Sequence, residues 1–272
     1  MKMYKTIIMS MFLLSVSLSA VAQGTKPGKT VDIITNKGTI TVLLYDETPL
    51  HRDNFLTLVK ENFYNNMLYH RIINNFIIQI GDPRSRRETG RNEAYYTPEK
   101  STIPAEILPG SFHRRGALNA ARMGESQNPF LESSSTHFTI IQGRVQTDSS
   151  LIRAEGRIEG FYRSHLQALY TVELKEANPE YANNEAKKEE LEAEVAKMVE
   201  TKMKEVTPSL KIPEDRRAIY KSVGGSPHLD NTYTVFGEVL SGMDVVDAIA
   251  NVPVDRERPT EEVYIIRMQL RE

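Results

Sequence analysis

A strand–turn–strand pattern at residues 69–83, YHRIINNFIIQIGDP, constrains the fold of this chain more than any other stretch. Residues 69–73 and 76–80 are rich in β-branched and aromatic side chains, which favour strands. The pair Asn74-Asn75 between them tolerates the backbone angles of a tight turn. The pattern therefore predicts two short strands joined by a turn.

Two polar side chains, Arg71 and Gln79, lie within this apolar stretch. A half-buried arginine costs free energy unless it is paired, so its presence needs a reason. One interpretation is structural: Arg71 would form an ion pair with Asp82 at the end of the sheet. The other is that Arg71 belongs to a functional site, and the stretch taken alone leaves both interpretations open.

The spacing of the same stretch resembles the central signature of the cyclophilins, the peptidyl-prolyl cis-trans isomerases, which is H-R-x-I-x-x-F-x-x-Q-x-G-D. The resemblance implies that Arg71 and Gln79 contact the backbone of a substrate and that Phe76 forms part of a pocket for proline. The residues that fall in register are His70, Arg71, Ile73, Phe76, Gln79, Gly81 and Asp82.

The order of elements extends the resemblance along the chain. Residues 29–35 and 39–45 are β-rich runs joined by a hairpin signal, and Thr48-Pro49 is typical of a helix start. The resemblance, over about 30–143 and 224–271, implies a mainly β fold with helices: a closed antiparallel eight-stranded β-barrel capped by two helices. Further blocks that follow family patterns lie at 115–122, 133–143, 224–237 and 242–249, before a last predicted strand at 263–270.

The pocket implied by the resemblance departs from the family pattern at several positions. His137 stands where the family has a glutamine, Tyr233 where it has a pocket histidine, and His228 where it has a tryptophan. Thr139 replaces an aromatic side chain on the pocket floor, whose burial is worth about 1.5–3 kcal/mol, so we expect weaker binding of proline. With Arg71 as the catalytic group, the implied substrate-binding residues are Phe76, Ile77, Gln79, Ala121, Arg122, His137, Thr139, Leu229 and Tyr233, of which Ala121 and Arg122 act through their main chain.

Residues 144–223 separate two parts of the family pattern and are predicted to be helical. Apolar residues recur every three or four positions at 158–169 and again at 191–203, and Asn178-Pro179 separates the two runs. We expect two antiparallel helices with facing stripes, an α-helical hairpin inserted into the barrel. Three roles stay open: a surface embellishment packed on the barrel, an arm that contacts clients or partners, and a coiled-coil dimer arm.

The first 22 residues have the pattern of a signal peptide. Lys2 and Lys5 precede an apolar run at 7–16 and a small-residue cleavage site at 20–22. The apolar run is short of the roughly 20 residues needed to span a membrane, so no stable membrane insertion is expected. Because the chain has no cysteine, a lipoprotein anchor and disulfides are excluded. We therefore expect an exported protein, periplasmic or extracellular.

Composition and absent motifs narrow the function further. The formal net charge of −2 does not suggest nucleic-acid binding, and no P-loop, dinucleotide, hydrolase or zinc-protease motif is present. No metal or cofactor is expected, because isomerisation requires only that a twisted bond be stabilised. A locally basic segment is either a solvated loop or a surface that favours acidic clients; its members are Arg84, Arg86, Arg87, Arg91, Arg114, Arg115 and Arg122.

Two functions remain after these exclusions. The first is an isomerase that rotates X-Pro bonds in exported proteins and assists their folding, with proline-containing polypeptides as partners. The second is a catalytically weak module or chaperone that holds Pro-containing segments in the groove and unfolded clients on the helical arm. Intact Arg71, Phe76 and Gln79 favour the enzyme, whereas Thr139 and His137 favour the binding module. The predicted division is a signal peptide at 1–22, barrel parts at 29–143 and 224–272, and a helical insertion at 144–223.

Overall fold

The computed structural model describes residues 28–87 and 102–271, apart from the side chains of 182 and 183. The predicted signal peptide at 1–22 and Arg91 of the predicted basic segment lie outside these residues. In the part of the chain that is described, no helix is long and apolar enough to cross a membrane.

Strands dominate both ends of the described chain, and helices dominate the middle. The strands are β1 (Gly28–Thr35), β2 (Gly38–Tyr45), β3 (Arg71–Ile73), β4 (Ile77–Ile80), β5 (Thr102–Ile103), β6 (Ala117–Ala120), β7 (Ser133–Ser134), β8 (Phe138–Ile141), β9 (Val235–Ser241), β10 (Val254–Asp255), β11 (Arg258–Pro259) and β12 (Ile265–Leu270). The α-helices are α1 (Pro49–Lys60), α2 (Asp148–Ala177), α3 (Pro179–Asn183), α4 (Lys188–Val206), α5 (Glu214–Ser222) and α6 (Met243–Ala250).

The main sheet is antiparallel and has the order β12-β1-β2-β9-β6-β8-β4-β3. It is curled but not closed, so the prediction of a closed barrel is wrong. Among the described residues the two edge strands form no ladder with each other, and an isolated bridge between Leu68 and Tyr264 lies beside them. The reason is local: β3 has only three residues, and its Ile72 N–H donates instead to the carbonyl of Glu257 at 2.7 Å.

One apolar core lies on the inner face of this curled sheet. Helix α1, which begins at Pro49 as predicted, contributes Phe55 and Val59, and α6 contributes Val246 and Ile249. Each large apolar side chain removed from water contributes about 1.5–3 kcal/mol, which is why both helices are held against the sheet.

The helices between β8 and β9 form a second apolar cluster. Helix α2 ends at Ala177, next to the predicted Asn178-Pro179 break, and α4 packs on it through the predicted stripe of apolar residues. Tyr220 of α5 belongs to the same cluster, against which Phe112 of the preceding β-rich part also packs. The boundaries 29–143, 144–223 and 224–272 stay predictions.

Candidate active site

The strand register places a row of polar side chains on the outer face of the sheet. Arg71 lies opposite Gln79, Gln79 opposite Thr139, and Thr139 opposite Asn119. Residues directly opposite each other share a face, so these four side chains line one surface across β3, β4, β8 and β6. The alternate residues form the core row instead: Ile72, Ile78, Ile140 and Leu118.

An apolar patch borders this polar row on the same face. Ile77 lies two residues before Gln79 and opposite Ile141, and it is buried with Leu229 and Val235. Phe76 and Tyr233 pack against the patch while remaining half-buried. The predicted cup residues Phe76, Ile77, Leu229 and Tyr233 are therefore brought together.

Arg71 is held at the border of the two regions by polar partners. Its Nη1 donates to Oε1 of Gln79 at 3.2 Å, and its Nε donates to Oε2 of Glu257 at 2.7 Å. The side chain is 39 % exposed, so the guanidinium is oriented and still reachable. Glu257 is a residue that the sequence analysis missed, because it lies in a distant turn with a φ of 68° and no local signal marks it.

The structural interpretation of Arg71, an ion pair with Asp82, is wrong. Asp82 pairs with Arg84 at 2.9 Å and also accepts from the Arg84 N–H, which caps the short turn at Pro83–Ser85. Gly81 turns the chain away from Arg71 with a φ of 115°, and a Cβ there would lie 2.6 Å from Cα of His137. A glycine is required at this position, because the backbones approach too closely for a side chain.

Phe76 is positioned by the turn between β3 and β4. Asn75, in the predicted turn, adopts a left-handed conformation with a φ of 61°, and its N–H donates to Oε1 of Gln142 at 2.6 Å. Gly143 N–H donates to the Phe76 carbonyl at 3.0 Å. The Phe76 ring lies 5.2 Å from the ring of His228, so His228 does extend the aromatic surface where the family pattern has a tryptophan.

The side chain of Arg122 has a structural role, which is separate from the main-chain contact expected from the sequence. Its side chain is 1 % exposed, and its guanidinium carbon lies 4.2 Å from the centroid of the Tyr233 ring. Such a desolvated cation over an aromatic face stabilises by about 2 kcal/mol. Nε donates to the carbonyl of Thr232 at 2.7 Å, and Nη2 pairs with Glu125 at 2.7 Å. The side chain thus fixes the wall that carries Tyr233.

Ala121 is engaged through its main chain by the protein itself. Its N–H donates to the His137 carbonyl at 3.0 Å, and its carbonyl accepts from Ser134 N–H at 2.7 Å. These bonds hold Ala121 in the framework of the site. A substrate contact through the main chain of Ala121 or Arg122 stays a prediction.

His137 lies on the outer face beside Thr139, at the edge of the polar row. Its Nδ1 lies 3.1 Å from the hydroxyl oxygens of both Ser134 and Thr136, and its ring is 5.3 Å from the ring of His70. Burial lowers the pKa of His137 below its ordinary value. Burial, together with the neighbouring His137, lowers the pKa of His70 to about 4. Both imidazoles are therefore neutral near pH 7, which suits hydrogen bonding and apolar contact.

Thr139 forms a polar floor where the family pattern has an aromatic side chain. It is buried, and its hydroxyl donates to Oδ1 of Asn119 at 2.5 Å. Asn119 is also buried and was missed from the sequence, although its place on the outer face of β6 follows from strand alternation. Thr139 satisfies Oδ1 of Asn119, and Nδ2 of Asn119 donates to the Ala120 carbonyl at 3.4 Å, so the buried asparagine has a partner for both polar atoms.

The basic segment predicted from the sequence is compensated by carboxylates. Its arginines pair as Arg84 with Asp82, Arg87 with Glu262, Arg114 with Glu238, Arg115 with Asp247, and Arg122 with Glu125. Arg86 donates to the Phe63 carbonyl. Because these side chains have partners, they are a weak basis for selecting acidic clients, and that interpretation of the segment is set aside.

A buried carboxylate stands behind the pocket wall. Asp230, 2 % exposed, accepts from the Tyr220 hydroxyl at 2.8 Å and from the His113 N–H at 2.9 Å, and His113 Nδ1 lies 2.9 Å from the same carboxylate. Burial and Asp230 raise the pKa of Tyr220 well above its ordinary value, so the phenol stays a donor. Neither partner was identified from the sequence.

Comparison with known proteins identifies the family. The model of the family described as "Cyclophilin type peptidyl-prolyl cis-trans isomerase/CLD" matches residues 30–191 and 219–270. The chain belongs to the cyclophilin family. This cyclophilin is 27 % identical over 239 residues to a "Putative peptidyl-prolyl cis-trans isomerase" of Staphylococcus saprophyticus, and the match covers 87 % of the chain and 88 % of that relative.

Two further similarities differ in extent. "Peptidyl-prolyl isomerase CWC27" of Mycosarcoma maydis is 43 % identical over 102 residues, and the match spans 36 % of this cyclophilin and only 20 % of that longer protein. A crystal structure of a cyclophilin type peptidyl-prolyl cis-trans isomerase of Cryptosporidium parvum superposes with a TM-score of 0.52 at 20 % identity, covering 90 % of this chain and 99 % of that one. The structural match supports the fold alone.

Proposed function

We infer that this protein catalyses cis-trans isomerisation of peptide bonds that precede proline. The observation that carries the inference is the position of Arg71. Its guanidinium is bonded to Gln79 on the paired strand, between a row of hydrogen-bonding side chains and an apolar cup formed by Phe76 and its neighbours.

The chemistry requires only that the twisted bond be favoured. Resonance makes the peptide C–N bond partly double, with a rotation barrier of about 18–20 kcal/mol. At the barrier the resonance is lost and the prolyl nitrogen carries a lone pair. Arg71 is permanently charged and presents several N–H donors, so it stabilises that lone pair more than the planar amide. No proton is transferred.

The other residues hold the substrate against Arg71. Phe76, Ile77, Leu229 and Tyr233 form the cup for the pyrrolidine ring, and Gln79 offers both a donor and an acceptor to the substrate backbone. His137 supplies a neutral ring at the edge. The expected substrates are proline-containing polypeptides; in support, a second crystal structure of the Cryptosporidium relative was determined in the presence of the dipeptide Ala-Pro.

We also propose that the clients are exported proteins and that residues 144–223 are an insertion in the family fold. The signal-peptide pattern at 1–22 supports the first proposal, and the position of α2–α5 between β8 and β9 supports the second. Fractionation of cells that express the full chain tests the location: recovery of an uncleaved protein with the cytosol would contradict export.

An isomerisation assay on short X-Pro peptides tests the main proposal. Exchange NMR, which needs no coupling protease, is run on the wild type, on Arg71→Ala and on Arg52→Ala. Arg52 is a matched control, because it is also a partly exposed arginine paired with carboxylates, Asp46 and Asp53, but lies on α1. Loss of activity in both variants would point to a general defect and contradict a specific role for Arg71.

A second candidate function is favoured by the polar floor. The pair Thr139–Asn119 offers the proline ring less apolar contact than an aromatic side chain would, which suits a weak module that binds Pro-containing segments. The same assay separates the two functions. A binding module would bind the peptide while accelerating its isomerisation no more than Arg71→Ala does.

A further inference from the structure

A cavity of about 520 Å³ lies where α2 meets the β3–β4 turn and the segment before Leu229. Its walls come from three separate parts of the chain: Asn75 and Phe76 of the turn, Pro227 and His228 of the later segment, and the N-terminal part of α2. The helices that follow β8 therefore build a surface that the sheet alone does not provide.

The cavity adjoins the apolar cup of the proposed active site. Phe76 belongs to both, and its ring is 5.2 Å from that of His228, which lines the cavity. One residue of extended chain spans at most about 3.3–3.6 Å. A polypeptide whose proline sits against Phe76 therefore reaches this cavity with a residue about one to three positions away.

The charge of the cavity is positive and uncompensated. Arg144, Arg153 and Arg157 line it, and no aspartate or glutamate does. All three are exposed, and none takes part in an ion pair among the described residues. Arg157 has only a loose contact with the Phe161 ring, at 6.0 Å. The arginines of the predicted basic segment, by contrast, have the partners described above.

Two features of α2 strengthen the positive field. Arg153 and Arg157 are spaced i,i+4, so they lie on one helix face, where like charges destabilise by about 0.2–0.5 kcal/mol when nothing compensates them. Ser150, in the first turn of the helix, also lines the cavity, so the positive end of the helix dipole lies beside it, while the Ser150 N–H itself donates to the Thr147 hydroxyl at 3.2 Å. Asp148 of the same turn is bound by Lys221 at 3.0 Å and does not line the cavity.

We propose that this cavity is a basic subsite, which binds the carboxylate of an aspartate or glutamate one to three residues from the proline of the client. Arginine suits the task, because its planar fork binds both oxygens of a carboxylate. The subsite rests on the proposed function and makes it more specific: proline segments flanked by acidic residues are preferred substrates. Burial lowers the pKa of His228, and Arg157 lowers it further, so the His228 imidazole beside the cup is uncharged.

The test compares peptides that differ in one side chain. A fluorescent X-Pro peptide carries Glu, or Gln, at each position from three before to three after the proline, and its Kd is measured by anisotropy at low and at high salt. The wild type is expected to bind the best Glu peptide about three- to tenfold more tightly than its Gln counterpart, as for two solvent-exposed ion pairs. High salt should reduce the preference.

Variants assign the preference to the cavity. In the double variant Arg153→Gln/Arg157→Gln the Glu-to-Gln ratio should fall to about one, whereas Lys175→Gln, which removes one positive charge at the exposed far end of α2, should keep it. Circular dichroism checks that α2 remains folded. Equal binding of Glu and Gln peptides by the wild type, or an unchanged ratio in the double variant, overturns the proposal. Because binding is measured directly, these results stand even if exchange NMR finds no isomerisation, which would instead contradict the proposed function.

Discussion

The Tyr220 hydroxyl donates a hydrogen bond of 2.8 Å to the carboxylate of Asp230, the residue that follows Leu229 in the wall of the proposed pocket. Tyr220 lies on α5, so this bond joins the helices between β8 and β9 to the active face of the sheet. His113 holds the other carboxylate oxygen. The helical segment is thus part of the scaffold that positions Leu229, and removal of the whole segment would disturb the site.

Tyr220→Phe removes only the hydroxyl from this buried contact. It should lower the free energy of unfolding by about 1–3 kcal/mol, because Asp230 would lose a donor in a buried setting. Urea unfolding measures the loss, and kcat/KM for an X-Pro peptide should fall with it. Tyr181→Phe, whose hydroxyl bonds to exposed Glu194 at 2.9 Å, should change the free energy of unfolding by less than about 0.5 kcal/mol. Equal losses in the two variants would contradict the role given to Asp230.

The floor of the pocket is held by a coupled pair. Thr139→Val leaves Oδ1 of buried Asn119 without its donor and should lower the free energy of unfolding by about 1–3 kcal/mol. The double variant Asn119→Ala/Thr139→Val should lose about 1 kcal/mol less than the sum of the single losses. Additive losses would show that the two side chains act independently. The double variant should also bind proline peptides more tightly, because its floor is apolar.

The carboxylate of Glu257 partly offsets the positive charge of the Arg71 guanidinium. Glu257→Gln keeps an acceptor for Nε but removes the negative charge 2.7 Å away, so the guanidinium should stabilise the prolyl lone pair better. We expect kcat/KM to rise about two- to threefold at low salt, the scale of an exposed ion pair, and the gain to shrink at high salt. A lower kcat/KM would mean that the carboxylate is needed to position Arg71.

Stability should depend on pH through the buried histidines. Burial lowers the pKa of His70 to about 4 and of His228 to about 3, and lowers that of His137, whereas an unfolded histidine has an ordinary value of 6.5. Below pH 6.5 the unfolded chain therefore binds more protons than the folded protein. The stabilisation is complete above about pH 6.5, and the free energy of unfolding falls as the pH drops toward 4. Urea unfolding between about pH 5 and 7.5 measures this, and His70→Gln should reduce the slope.

The activity should not depend on pH in the way that the free energy of unfolding does. The proposed mechanism transfers no proton, so kcat/KM measured on folded protein should be flat from about pH 6.5 to 9. A bell-shaped profile in that range would indicate acid–base catalysis by another group.

The sequence was most informative where structure is local. The turn at Asn74-Asn75, the strands around it and the start of α1 at Pro49 depend on neighbouring residues, and they were predicted correctly. Strand alternation separates Gln79 and Ile77 from the core residue Ile78, but it would put Phe76 on the face of Ile78, whereas Phe76 lies just before β4 and packs against the patch of Ile77.

The parts of the site that were not predicted from the sequence depend on contacts between distant segments. Arg71 and Glu257 are 186 positions apart, and Asn119 and Thr139 meet only because β6 pairs with β8. No spacing rule predicts such pairs, and a resemblance transfers a site without the partners specific to one chain. The unpaired arginines Arg144, Arg153 and Arg157 were likewise overlooked, because only the packing of α2 next to His228 brings them to the site.

The isomerisation rate of Arg71→Ala, measured beside that of the wild type, tests the catalytic role of Arg71. The loss of a donor that acts on the developing lone pair should reduce kcat/KM by about 100-fold or more. The free energy of unfolding should change by less than about 1 kcal/mol, because the ion pair with Glu257 is largely exposed. A folded Arg71→Ala protein that isomerises X-Pro peptides as fast as the wild type would contradict the central claim.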